Sequence, residues 1–138
     1  MKRLICGRDE EIAEWTFDKF HLRPVRYDMA IGIVDDSELV GSVLWHAYNG
    51  DDIEISDYGP KTMTLGIARA MAKMAIDYWG VSRVSAKTAR SNRKMTRGIK
   101  KIGFEWEGTK HCAYGDEDAI MYGLWGKNLY RLAGRSLQ

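Results

Sequence analysis

The sequence predicts an α/β fold: a three-layer α+β arrangement in which a mixed, mostly antiparallel sheet is flanked by helices. Three observations carry this reading. Short apolar or alternating runs at Met29–Val34, Leu39–Tyr48 and Asp52–Tyr58 are separated by turn signals. The spacing then switches to three and four at Leu65, Ala68, Ala72, Ala75 and Trp79, the period of an amphipathic helix. Two further strand patterns close the chain around the polar turn Gly115-Asp116-Glu117-Asp118.

The elements follow in order. Lys2–Gly7 reads as a short strand. Asp9–Phe20 reads as a helix with Asp9 as its N-cap and Ile12, Trp15 and Phe20 on its apolar face. Met29–Val34 and Leu39–Tyr48 form a hairpin around Asp35-Asp36-Ser37. Asn49-Gly50 is a two-residue hairpin signal leading into Asp52–Tyr58. The helix that follows has Met71 and Ile76 widening its stripe and Arg69, Lys73 and Asp77 opposite, and it ends at Gly80. Arg83–Thr88 is a strand, and Met95, Ile99 and Ile102 mark a second helix ended at Gly103. Phe104–Ala113 and Ala119–Trp125 are the last strands. The tail from Asn128 to Gln138 packs as a short helix or frays. The order is β-α-β-β-β-α-β-α-β-β, with one parallel crossover near the middle.

The 138 residues fit one domain: a strand and helix over 1–27, a core over 28–125 and a tail over 126–138. With 45% hydrophobic and 29% charged residues, the composition is that of a globular chain. No apolar run approaches the ~20 residues of a membrane span, so no membrane partner is expected. The start, Met1 to Gly7, meets Asp9-Glu10-Glu11 too soon for a secretory signal, and a cytoplasmic location is expected. Cys6 and Cys112 suit no metal or redox spacing, so buried or idle thiols and no metal are expected.

Charge is uneven. Residues 1–60 carry 13 acids and 6 bases, whereas residues 61–138 carry 15 bases and 6 acids. Eight of those bases, Arg83, Lys87, Arg90, Arg93, Lys94, Arg97, Lys100 and Lys101, fall between Tyr78 and Phe104 with no acid among them. A phosphorylated cofactor, a nucleic acid or plain solvated helix faces would each account for that field.

Two local motifs narrow the choice. The first is Tyr58-Gly59-Pro60-Lys61-Thr62-Met63-Thr64-Leu65-Gly66-Ile67-Ala68, a strand end followed by a helix start. A helix start leaves backbone N–H groups unbonded and partly positive, and these can hold a pyrophosphate when small residues keep side chains away. Close packing would also explain Gly66 and Ala68. The second motif runs from Asn92 to Gly108 and contains Asn92, Lys101, Gly103, Phe104, Glu107 and Gly108. Together the motifs resemble those of the GNAT acetyltransferase superfamily. Pro60, Gly66 and Ala68 match the first family pattern in place, with Met63 where Arg or Gln is usual. In the second pattern Met95 replaces a frequent Ser. The hairpin beginning Glu107-Gly108 looks most like the ribosomal-protein-acetylating branch. The short chain also resembles GNAT-like proteins encoded by bacteriophages, including virion components.

The resemblance implies acetyl-CoA (coenzyme A) as co-substrate, held by Tyr58, Met63, Thr64, Leu65, Gly66, Ile67, Ala68, Asn92 and Arg97. A helix N-cap is the alternative reading of Asn92, and an exposed basic face explains Arg97 as well. An amine would attack the thioester directly. The backbone N–H of Asp57 or Tyr58 would polarise the carbonyl, and Glu54, with Asp52 in reserve, would accept the proton. A surface carboxylate on a half-exposed strand is the other reading of Glu54. The family's Tyr general acid is replaced by Ile99, which leaves Tyr114 or Tyr122 as possible donors. His46 lies on the third strand, where substrate often enters, though packing also accounts for it. Trp45 and Trp106 are read as core or as pocket lining. The acceptor would be an amine-bearing small molecule or protein, and the chain a monomer or homodimer. Two rival expectations stand beside this one: a GNAT-shaped domain without catalysis, and a nucleic-acid partner or nucleic-acid-modifying activity resting on the basic stretch.

Overall fold

A computed structural model describes residues 1–136. Among the described residues the strands are β1 (Lys2–Ile5), β2 (Met29–Asp35), β3 (Glu38–His46), β4 (Asp52–Tyr58), β5 (Arg83–Ala89), β6 (Glu105–Tyr114) and β7 (Glu117–Trp125). The helices are α1 (Asp9–Lys19), α2 (Leu65–Met74), α3 (Arg93–Lys101) and α4 (Gly126–Leu132). The strands follow the order β1-β2-β3-β4-β5-β7-β6 in one sheet. The pairs β1–β2, β2–β3, β3–β4, β5–β7 and β6–β7 are antiparallel. This is the mostly antiparallel, helix-flanked sheet that the sequence predicts.

The chain divides into two compact units, the first made of Met1–Tyr48 with Glu54–Thr64, the second of Asn49–Ile53 with the chain from Leu65 onward. In the first unit, Asp36 and Ser37 both take positive φ (50° and 69°) and make the tight turn between β2 and β3. α1 lays Ile12, Ala13 and Thr16 inward, onto a core shared with Ala30 and Leu44. The approach is close: a Cβ on Gly32 would stand 2.7 Å from the Ile12 Cδ1. The Thr16 hydroxyl donates to the Ile12 carbonyl (2.8 Å) and so accepts from the Ser42 hydroxyl at 2.6 Å, all fully buried.

Two local expectations change here. Arg8, not Asp9, occupies the N-cap of α1. Asp9 is the first helical residue, and its carboxylate accepts from the Ala30 backbone N–H at 3.4 Å. Nor does Asn49-Gly50 make a two-residue hairpin. β3 ends at His46, and Ala47 turns the chain at φ 56°. The Asn49 side chain accepts from the Asp51 and Asp52 N–H groups at 3.0 and 2.9 Å, so Asn49 builds an Asx turn within a longer loop.

In the second unit, β5 pairs along β7 from Arg83↔Trp125 to Ala89↔Ala119, and β6 forms the sheet edge beyond β7. α2 buries Ile67, Ala68, Met71 and Ala72, and it continues into a π-helical turn over Ala75–Trp79 closed by Gly80 at φ 66°. Leu65, expected on the apolar stripe, is 58% exposed, because it is the first residue of the helix and Ile67 takes its place in the core. The π turn widens the last coil of a helix that the sequence reads as uniform. α3 buries Ile99 and ends at Gly103, whose φ is 110°. The last turn is only Gly115-Asp116, since Glu117 and Asp118 join β7. The tail forms α4, with Leu129 and Leu132 buried and Arg135 paired in two bonds to Asp77. Gln138 and Leu137 lie outside the described residues. Trp45 is core, Trp106 is exposed, and both cysteines are exposed free thiols rather than buried ones.

Replacing Thr16 with Val is expected to leave the buried Ser42 hydroxyl without its acceptor. The expected loss is about 1–3 kcal/mol of stability, read from urea unfolding, with Ser42→Ala in the same background recovering part of it.

Candidate functional site

β4 has two chemically different faces, because side chains alternate along a strand. Glu54, Ser56 and Tyr58 share one face, and the β3 register places His46 opposite Glu54, Leu44 opposite Ser56 and Ser42 opposite Tyr58. His46 therefore stands above both polar residues. Its Nδ1 lies 3.0 Å from the Glu54 Oε2, and its Nε2 lies 2.9 Å from the Ser56 Oγ. The two ionisable side chains are 20% and 17% exposed. A neutral imidazole in this position donates Nδ1–H to the carboxylate and accepts the Ser56 O–H at Nε2. The ring thus bridges a carboxylate and a hydroxyl, the arrangement through which a proton is relayed from one to the other.

Tyr58 extends the same row. Its ring packs 5.8 Å from Phe20 and against the α1 core. Burial pushes its phenol above the ordinary tyrosine range, partly opposed by hydrogen bonding to Ser56 and reinforced by the charges of Asp57 and Glu54. The phenol is thus a proton donor at neutral pH. Sequence reasoning singled out Glu54 but not its connection to Ser56 through His46. The alternation of β3 carried the signal, but only the strand register turns alternation into a contact.

Asp52 continues this face of β4 in sequence, but its carboxylate is already engaged. The Ser85 hydroxyl donates to it at 2.7 and 2.9 Å, and the Arg83 Nε lies 3.5 Å away. Arg83 is itself gripped by Glu107 through both carboxylate oxygens. That grip is the main cause of the rise in its pKa. The expected reserve base is therefore one member of an ion-pair cluster, and Glu107, a family-pattern residue, is its anchor.

The turn out of β4 is tightly determined. Gly59 has φ 119°, and a Cβ there would stand 2.6 Å from the Val40 carbonyl oxygen. The Thr62 hydroxyl is buried and donates to the Gly59 carbonyl at 3.0 Å. Lys61 takes φ 55°, and the Thr64 N–H closes onto the Thr62 carbonyl at 3.0 Å. Met63 is half-buried, whereas Thr64, Leu65 and Gly66 are exposed. α2 has no acid in its first turn. An exposed, acid-free helix start with a glycine in it fits an anionic phosphoryl group. Ile67 and Ala68 point inward, so the small Ala68 also serves packing. A cleft of ≈ 210 Å³ lined by Leu65, Arg69, Lys101, Gly103, Asn128 and Arg131 adds three cations and no acid beside this helix.

Asn92 caps α3: its Oδ1 accepts the Met95 N–H at 3.2 Å. Arg97 is exposed on the same helix. Tyr114 sits at the tip of the β6–β7 hairpin opposite Glu117 and is 44% exposed. Tyr122 is core. Among the described residues no three His, Cys, Asp or Glu side chains form a metal-holding group.

Asp57 lies on the opposite face of β4, and burial raises its pKa against the pull of its own backbone N–H. Because the folded value lies above the unfolded one, ionised Asp57 weakens the native state at neutral pH. Asp57→Asn is expected to stabilise the protein there. The gain shrinks as pH falls through the raised pKa and vanishes below the ordinary carboxyl range. Urea midpoints across pH measure this, and a pH-independent difference contradicts it.

Comparison with known proteins places this geometry in context. A family model described as an acetyltransferase (GNAT) domain matches residues 6–105. No curated protein matches the chain. Among solved structures, the spermidine/spermine N-acetyltransferase SpeG from Vibrio cholerae aligns over 95% of this chain and 99% of its own, with 16% identity and a TM-score of 0.68. YncA from Salmonella typhimurium, solved with acetyl-CoA, aligns over 90% and 93% with 14% identity and a TM-score of 0.64. A GNAT-family acetyltransferase from Bacillus anthracis aligns over 70% and 65% with 20% identity and a TM-score of 0.60. Against that structure and three other solved acetyltransferases the chain spans 59% to 65% of the other chain's length. At these identities the likeness is one of fold. The family model covers well over half of the sequence, and the chain belongs to the GNAT acetyltransferase domain family.

Proposed function

We propose that the protein is an N-acetyltransferase that moves the acetyl group of acetyl-CoA to a primary amine by direct attack within a ternary complex. The observation that carries this reading is the His46–Glu54 pair, a proton acceptor on the polar face of β4. The family membership and the solved acetyl-CoA complexes of YncA and of PseH from Campylobacter jejuni support the choice of acyl donor.

Each residue has a role in this scheme. The backbone N–H groups of the Met63–Ala68 segment hold the pyrophosphate, with Thr64, Leu65 and Gly66 leaving the approach open and Ile67 anchoring the helix. Asn92 keeps the start of α3 in shape, and Arg97 offers a charge to a phosphate. The Asp57 or Tyr58 backbone N–H polarises the thioester carbonyl. Glu54 and His46 together take the proton that the ammonium must lose before it can attack. Asp52 belongs to the supporting cluster rather than to the chemistry. Tyr58, protonated and on the same face, replaces Tyr114 as the preferred donor to the departing thiolate. The 13 acids of residues 1–60 favour a cationic acceptor, and the polyamine acceptor of SpeG is of that kind.

Calorimetric titration with acetyl-CoA, followed by a thiol-release screen over polyamines and other amines, tests the reading. Binding in the micromolar range with amine-dependent CoA release is expected. Glu54→Gln is expected to keep binding while lowering turnover by roughly 10²–10⁴-fold. Failure of both acetyl-CoA and CoA to bind overturns the proposal in favour of a GNAT-shaped domain without catalysis.

A further inference from the structure

The pair that serves the proposed base also holds a hydroxyl. Ser56 Oγ, His46 Nε2, His46 Nδ1 and Glu54 Oε2 lie in sequence along one path, with contacts of 2.9 and 3.0 Å. This is the connectivity by which a serine becomes a nucleophile: hydroxyl to one ring nitrogen, carboxylate to the other. The register makes it a property of the fold, since Glu54 and Ser56 are two residues apart on β4 and His46 faces Glu54 from β3. None of the three is sealed in the core, and all three belong to the same compact unit.

We propose that Ser56 is an acyl-accepting nucleophile, and that the protein forms and hydrolyses an acetyl-Ser56 ester when no amine is present. The substrates are activated acyl compounds: aryl esters and thioesters. The Ser56 oxygen bonds to the acyl carbon while its proton passes to His46 Nε2. The tetrahedral adduct collapses with cleavage of the bond to the leaving group, which departs with the proton from His46. A water molecule then attacks the acyl-serine, gives its proton to His46 and releases the carboxylic acid. The returning proton restores the Ser56 hydroxyl, so atoms and charge balance without any further reactant. Glu54 holds the ring in the tautomer that the first step needs and steadies the imidazolium formed. The Tyr58 phenol, on the same face of β4 as Ser56 and kept protonated by burial, offers a donor to the developing oxyanion.

This inference shares the His46–Glu54 pair with the proposed transferase but not the coenzyme A site, so its test avoids coenzyme A. The full-length protein is mixed with p-nitrophenyl acetate, and nitrophenol release and intact mass are followed together. The expected result is a burst approaching one acetyl group per chain, mapped by peptide mass spectrometry to Ser56. Ser56→Ala is expected to lose the burst. His46→Gln is expected to slow it by about 10²-fold or more. Ser56→Cys is expected to keep an adduct that has become labile to neutral hydroxylamine, which guards against a folding defect in the alanine variant. Absence of acetyl-Ser56 in the wild type, acetylation confined to lysines, or an unchanged burst in Ser56→Ala overturns the proposal. A protein that shows the burst but binds no acetyl-CoA retains this inference and loses the transferase reading.

Discussion

The pairing of β3 with β4 in one register, with Ser42 opposite Tyr58 and His46 opposite Glu54, is the constraint on which the site depends. Strand side chains alternate, so a slip of one residue would carry His46 to the other face and bring Trp45, now fully buried, to the polar side. The register is held from both flanks. α1 is bonded to the same face through Thr16 and Ser42, and Gly32 lets that helix approach closely. On the opposite face of β3, the neighbouring Gly41 leaves room for Thr62: a Cβ there would stand 2.5 Å from the Thr62 Cγ2. A register shift would therefore break a buried hydrogen bond and create a steric clash.

β4 converts that constraint into chemistry. One face carries Glu54 and Ser56, joined through His46, with Tyr58 beyond them, and the other carries Ile53 in the core and Asp57 in a poorly solvated place. A buried polar row costs little when each member has a partner, and much when one is orphaned. His46 supplies partners to two members at once. The same economy governs Asp52, whose charge is met by Ser85 and Arg83, with Glu107 completing the neutralisation of the arginine. Two carboxylates on one strand face are thus set to different tasks by their neighbours.

Much of this was legible in the sequence. Element order and type followed from the switch between alternating and helical spacing, and the limits of β4 were read to the residue. Glycine at Gly80 and Gly103 marked two helix ends because left-handed backbone favours it there. What was not legible depended on partners far away in the chain. Asp9 looked like a helix cap, yet a β2 backbone N–H claimed its carboxylate. Asn49-Gly50 looked like a two-residue turn, yet the Asn49 side chain organised a longer one. Leu65 fitted the helical stripe, yet the buried face begins at Ile67. The contacts of His46 with Glu54 and Ser56 were the largest omission: spacing shows that a residue faces one side of a strand, not what stands across from it. Asn92 shows the converse, since its N-cap was foreseen as one of two readings and its Oδ1 is used for that purpose.

The most direct test of this account is the tautomer of His46. Nitrogen-edited NMR of the histidine side chains, at a pH where the ring is neutral, distinguishes a proton on Nδ1 from one on Nε2. The account predicts the Nδ1–H form at His46, donating to Glu54, with Nε2 accepting from Ser56, and it predicts that Glu54→Gln weakens this preference. A dominant Nε2–H form, or free exchange between the two tautomers as for an exposed histidine such as His21, would contradict it.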